Sequence, residues 1–165
     1  MLSAETAVGR HPATAVAIMD RIMQAAEGDP EFWDYFRRVK LPHKATPEDA
    51  ISQSVSGIAT TLQAKAVLGY TSTGSTVQRI SRERPPCRIV GLTAHEKTAR
   101  RLTLSWGVQS IVTSDPSSFL DMLAEIQIVA KEKAGLNPGD VVMISAGIPF
   151  GRPGTTDTLK IATID

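Results

Sequence analysis

Hydroxyl side chains crowd one short stretch, Thr71-Ser72-Thr73-Gly74-Ser75-Thr76, which stands between the apolar run Ala64 to Tyr70 and the helical pattern Val77 to Glu83. A strand that ends in small hydroxyl residues and a glycine, then turns straight into a helix, presents unpaired N–H groups and the positive end of a helix dipole to an anion. The hydroxyls of Thr71, Ser72, Thr73, Ser75 and Thr76 add donors, and Gly74 lets a ligand approach the backbone closely. That is the chemistry of a phosphate cradle. A plainly capped helix start uses the same residue types, so the two readings compete on the turn alone. The triphosphate-binding loop is excluded, because no Gly-Lys-Ser/Thr follows.

A second candidate is the loop Gly147 to Asp157, with three glycines, two prolines and Arg152, whose guanidinium suits a phosphate. A long connection without a ligand is the bland alternative. Other chemistry is weaker. His11, His43 and His95 lack metal-ligand spacing, and Ser75 has no Gly-x-Ser-x-Gly elbow around it. Glu5 receives no role. The one cysteine, Cys87, forbids an internal disulfide and reads as a small buried residue at the start of an apolar strand.

The elements that must carry these loops follow from the punctuation. Residues Met1 to Arg10 read as the end of a strand and a loop, and a helix follows from Pro12 to near Gly28, with Ala15, Ile18, Met19, Ile22 and Ala26 three and four apart. From Asp29 to Lys44 the pattern is irregular, with Phe32, Trp33, Tyr35 and Phe36 crowded together. Thr46-Pro47-Glu48-Asp49 then opens a helix whose stripe is Ile51, Val55, Ile58, Ala59 and Leu62. Strand and helix alternate from here: strand Ala64 to Tyr70, helix Ser75 to Glu83, strand Arg88 to Leu92, a capping box at Thr93 to Glu96 opening a helix with Ala99 and Leu102 inward, and strand Val108 to Val112. Asp115-Pro116 opens a long helix bearing Phe119, Met122, Leu123, Ile126 and Ala130. Strand Val141 to Ala146 is apolar on both faces, and a last strand runs from Thr158 to Ile164. The expected fold is a three-layer α/β domain: a mostly parallel five-stranded sheet flanked by helices, with the last strand antiparallel at an edge. Ligands of such sheets gather at the carboxyl ends of the strands where strand order reverses. Both hydroxyl- and glycine-rich loops belong to that end, so they can face one ligand.

Composition bounds the function. A chain of 165 residues, 42% hydrophobic, can bury a core. Eighteen basic and seventeen acidic residues give a net charge of +1, which argues against a nucleic-acid footprint, and 5% aromatics argue against a base-stacking platform. No apolar run approaches membrane-spanning length and the N-terminus lacks a secretion signal, so neither nucleic acid nor membrane is expected as a partner and a cytoplasmic location is.

The same residues carry a resemblance. Met1-Leu2-Ser3-Ala4-Glu5-Thr6-Ala7-Val8-Gly9, with Pro12 and its helix, resembles the closing segment of the pyruvate kinase catalytic barrel. Ala64-Lys65-Ala66, the Thr71 to Thr76 turn, Arg84-Pro85, His95-Glu96-Lys97-Thr98-Ala99-Arg100, Gly139-Asp140-Val141-Val142 and Gly154-Thr155-Thr156-Asp157 follow in the order of that family's C-terminal domain. The resemblance implies three segments: residues 1–28 from the barrel, a linker at 29–45, and a C-terminal-like α/β domain at 46–165. It further implies a regulatory and assembly role, in which a phosphorylated effector sits between the Thr/Ser turn and the late loop. Thr71, Ser72, Thr73, Gly74 and Thr76 match the phosphate seat, and Gly154 with Thr155 the covering loop.

The departures narrow the ligand. Many members have an arginine or lysine after the turn glycine, where this chain has Ser75. Members activated by fructose 1,6-bisphosphate have a tryptophan and an arginine around the helix after the third strand, where this chain has Phe119 and Leu123, so a monophosphate is the expected effector. Asp157 stands in place of a usual asparagine, and its charge repels phosphate at close range. The family's catalytic lysine, Mg²⁺ carboxylates, arginine and potassium site lie in the barrel, so the resemblance implies that this chain holds no cofactor and no catalytic residue of its own and is inactive alone. It also implies a homo-oligomer. Two other readings stay open: a free-standing phosphosugar- or nucleotide-binding module, and a structural dimerisation domain pairing through its last strand.

Overall fold

The computed structural model describes residues 1–39, 42–148 and 155–165. The chain divides into two compact units, Met1–Pro42 and His43–Asp165.

The first unit is helical: α1 (Ala4–Ala7), α2 (Pro12–Glu27) and α3 (Pro30–Arg38). Two expectations fail here. The opening residues form a short helix rather than a strand end, because the N–H groups of Thr6 and Ala7 turn back onto the Ser3 carbonyl and no strand lies in this unit for them to pair with among the described residues. The stretch after Gly28 is also not irregular. Asp29 caps α3 by accepting from Glu31 N–H at 2.9 Å, and Pro30 occupies the first turn. Trp33 Nε1 donates to the Glu27 carbonyl at 2.7 Å, and its ring meets Phe32 edge-on at 5.1 Å. The expected apolar stripe of α2 is uncovered: no residue of that helix is buried, and Ile18 and Ile22 are 43% and 56% exposed.

The second unit runs α4 (Pro47–Leu62), β1 (Ala66–Tyr70), α5 (Ser75–Arg82), β2 (Arg88–Thr93), α6 (Glu96–Leu102), β3 (Val108–Val112), α7 (Phe119–Glu132), β4 (Val141–Gly147) and β5 (Thr156–Thr163). The sheet order is β3-β2-β1-β4-β5. Every neighbouring pair is parallel except β4 with β5, which is antiparallel and lies at the edge. The three central strands β1, β2 and β4 are buried almost throughout because both faces are covered, whereas the edge strands β3 and β5 mix polar, exposed residues with apolar ones. Leu68, Val90, Leu92, Val142 and Ile144 face Met122, Ile126 and Val129 of α7. The alternate residues Val67, Ile89 and Met143 face Val55 and Ala59 of α4, Val77 and Ile80 of α5, and Leu102 of α6. Three layers result, as the sequence pattern requires. Gly69 sets how closely α5 lies on the sheet, since a Cβ there would stand 2.8 Å from Val77 Cγ2.

Two local boundaries and the burial of one helical stripe differ from expectation. Thr93 is the last residue of β2 rather than a cap; its hydroxyl accepts from His95 N–H at 3.3 Å, and α6 starts after His95 without a side-chain cap. α7 starts at Phe119, not at Pro116, because Ser118 provides the cap by accepting from Asp121 N–H at 3.1 Å. In α4, Val55 and Ala59 are buried, Ile51 and Ile58 half-buried, and Leu62 is exposed in the last turn.

Candidate functional site

The order β3-β2-β1-β4-β5 puts the reversal of direction between β1 and β4. The Thr71–Thr76 turn leaves the carboxyl end of β1 there, and Gly147 ends β4 at the same end. Thr71 N–H still donates to the Leu92 carbonyl at 2.9 Å, extending the sheet by one residue, and Thr71 Oγ1 then accepts from Gly74 N–H at 2.9 Å. Helix α6 takes up the turn's carbonyls: Thr98 Oγ1 donates to Ser72 at 2.9 Å, and the Arg101 guanidinium donates to Thr73. Gly74 holds φ +93° and is the residue before α5. No side chain caps that helix, and among the described residues nothing accepts from the N–H groups of Ser75, Thr76 or Val77. The hydroxyl residues of the turn therefore do not serve as its cap. Among the described residues, no acceptor offsets the partial positive charge of the helix start.

Thr71, Gly74 and Thr76 are buried, Ser72 and Ser75 half-buried, and Thr73 exposed. Thr76 Oγ1 lies 2.6 Å from Thr156 Oγ1, a buried pair that ties the turn to the start of β5. Thr155 packs against Gly147, where a Cβ would stand 2.5 Å from the Thr155 carbonyl oxygen. The structure thus brings Thr71 to Thr76 to the same end of the sheet as Thr155. Arg152 and Gly154 lie outside the described residues. Asp157 is engaged locally, accepting from Ile148 N–H at 3.1 Å and from Thr158 Oγ1 at 3.0 Å.

Sequence reasoning missed Thr98, Arg101 and Thr156 as neighbours of the turn. The first two sit on α6, beyond the adjacent strand. The signal for them was the parallel pairing of β1 with β2, which sends the chain after both strands to one end. Arg101 supplies a cation beside the turn, its Nη2 3.4 Å from the position a Gly74 Cβ would take. Elsewhere, a cleft of about 630 Å³ opens at the opposite ends of the strands, lined by Gln63, Lys65, Cys87, Arg88, Asn137 and Asp140. Burial pushes the Cys87 thiol up to about 11, so it is neutral there. Among the described residues no helix is long and apolar enough to cross a membrane, and no group of three or more side chains is placed to hold a metal ion.

These features define a class: a three-layer, mostly parallel α/β domain with an uncapped helix start in the turn at its switch point. The family model described as "Pyruvate kinase, alpha/beta domain" matches residues 49–162. The chain is similar to the pyruvate kinases of Methylorubrum extorquens (38% identical over 164 residues, 99% of this chain and 34% of that protein) and Agrobacterium vitis (35% identical over 164 residues, 99% and 34%). It is likewise similar to that of Clostridium acetobutylicum (34% identical over 165 residues, 100% and 35%). The chain belongs to the pyruvate kinase alpha/beta domain family. It spans about a third of the length of the curated relatives it matches.

Proposed function

We propose that this chain acts as the regulatory and assembly domain of a pyruvate kinase, binding a phosphorylated effector at the Thr71–Thr76 turn, with the 147–157 loop as its cover. The observation that carries the reading is the helix start after Gly74: three N–H groups without a protein acceptor among the described residues, no side-chain cap, and a guanidinium alongside. Thr71, Ser72, Thr73, Ser75 and Thr76 surround the phosphate in this reading, and Arg152, Gly154 and Thr155 close over it. The ligand is a monophosphate. Phe119 and Leu123 pack against the core cluster under α7 and offer no cation to a second phosphate.

In the parent enzyme the reaction is phosphoryl transfer from phosphoenolpyruvate to ADP, giving pyruvate and ATP, with Mg²⁺ and K⁺ held by the barrel to which residues 1–28 belong. The chain works in the cytoplasm as part of a homo-oligomer, with no nucleic acid or membrane as partner. Calorimetric titration with ribose 5-phosphate, glucose 6-phosphate, AMP and fructose 1,6-bisphosphate, with inorganic sulfate as the bare-anion control, tests this. One monophosphate should bind saturably, and at a hundred times its dissociation constant it should stabilise the fold by about 2.7 kcal/mol. A chain that binds none of them would favour the structural reading, in which the edge strand β5 pairs with a second copy.

A further inference from the structure

Helix α5 has the candidate phosphate turn at one end and a buried ionic network at the other. Asp49, in the first turn of α4, is 4% exposed and faces Arg79 Nε at 3.2 Å and Arg82 Nη2 at 3.5 Å. Its carboxylate also accepts from Lys44 N–H at 2.8 Å. Glu83, at the end of α5 and 7% exposed, takes Arg82 Nε at 2.9 Å and His43 Nε2 at 3.0 Å. The network therefore joins His43 to the end of α5 through Glu83, and Lys44 to the same helix only through Asp49 of α4, which Arg79 and Arg82 face.

Donors outnumber acceptors in it. Arg79 Nη1 and Arg82 Nη2 are buried without a hydrogen-bond acceptor among the described residues, and Arg82 Nη2 keeps only a charge contact with Asp49. Two carboxylates shared among two guanidinium groups, a histidine and a backbone N–H can be paired in more than one way, and a buried donor left out is costly in each. α5 is only eight residues long, about 12 Å. Its inner face, Val77 and Ile80, is fully buried, so a displacement of its first turn would carry its last turn with it. A ligand that moved its first turn would then alter which of these pairings its last turn can make.

We propose that the Asp49–Arg79–Arg82–Glu83–His43 network is a coupling element, which senses occupancy of the Thr71–Thr76 turn through α5 and passes it to the segment at residues 43–46. The proposal rests on the reading of that turn as the effector seat. It gives the regulation a route: the ligand's free energy is spent partly on choosing one pairing of the network, and the hold on residues 43–46 changes with it.

Hydrogen exchange at the Lys44 amide reads the network directly, because that N–H donates to Asp49. The full chain is measured free and saturated with whichever of ribose 5-phosphate, glucose 6-phosphate and AMP binds tightest. Saturation should change Lys44 exchange by about 5-fold. His43→Gln weakens the Glu83 end without touching the turn; it should cut that response to under about 2-fold and, by reciprocity, move the ligand's Kd by a similar factor to the lost response. Asp49→Asn should do the same from the other end. A ligand that binds while Lys44 exchange stays unchanged overturns the coupling alone, as does a full response in both variants. If no monophosphate binds the unaltered chain, the reading of the turn falls and the coupling with it.

Discussion

Gly74→Ala is the substitution on which the site's geometry bears most heavily. Gly74 sits at φ +93°, a left-handed conformation that costs a residue with a Cβ about 1–2 kcal/mol. The added methyl would meet Leu102 Cδ2 at 3.3 Å, Arg101 Nη2 at 3.4 Å and Thr98 Cγ2 at 3.5 Å. These are tight contacts with the ends of side chains, which can give by a few tenths of an ångström, so the backbone conformation sets most of the cost. For a chain of this size that corresponds to a fall in melting temperature of roughly 2–8 °C. Gly57→Ala is the internal control: Gly57 lies in the middle of α4, and a Cβ added there would meet nothing within 4 Å, so alanine should raise stability by about 0.5–1 kcal/mol. Paired thermal melts of the two variants make the comparison. If Gly74→Ala melts at or above the parent while Gly57→Ala is stabilised as expected, the turn does not hold its glycine in the left-handed region. The helix start would then lack the geometry on which the anion seat depends.

Three further outcomes follow from the packing. Thr156→Val leaves the buried Thr76 hydroxyl without its 2.6 Å partner and should cost about 1–3 kcal/mol in urea denaturation, with Thr76→Val adding less than its own separate cost. The Asp49 carboxyl is held below its usual value, 3.8, first by the Lys44 N–H and then by Arg82 and Arg79, against the opposing effect of burial. Its contribution to stability is therefore present above that value and lost as pH falls through the lower folded value; denaturation midpoints measured from pH 6 down to pH 2 should fall less steeply in Asp49→Asn. Burial pushes Tyr70 up to about 12. Its hydroxyl donates to the Ser114 carbonyl at 2.5 Å. A difference ultraviolet titration against Tyr70→Phe should place its ionisation there, and the variant should lose about 0.5–1.5 kcal/mol.

What the sequence made legible was what local chemistry enforces. Thr46-Pro47-Glu48-Asp49 opens α4 at the expected place, with the Thr46 hydroxyl accepting from Asp49 N–H. The apolar runs Ala66–Tyr70 and Val141–Gly147 are strands because both faces of the sheet are covered, and the turn between β1 and α5 falls where expected. Helix α3 was obscured because four aromatic residues, Phe32, Trp33, Tyr35 and Phe36, overwhelmed the 3.6-residue period, although Asp29-Pro30-Glu31 carried the capping signal. Thr93 and Asp115 were misread for the converse reason: residues able to cap a helix stand a few positions outside the helix that forms. At the site, the turn itself was local and legible. The contributions of Thr98, Arg101 and Thr156 depend on strand order, which brings residues 26 to 80 positions apart together.

If the N–H groups at the start of α5 hold a phosphate, the atoms concerned will report it in backbone amide NMR during titration with ribose 5-phosphate, glucose 6-phosphate and AMP. Saturable shifts should be largest at Gly74, Ser75, Thr76 and Val77, with Thr98 and Arg101 following. Binding whose largest shifts fall on Gln63, Lys65 and Asn137, around the cleft at the other end of the sheet, would contradict the phosphate seat.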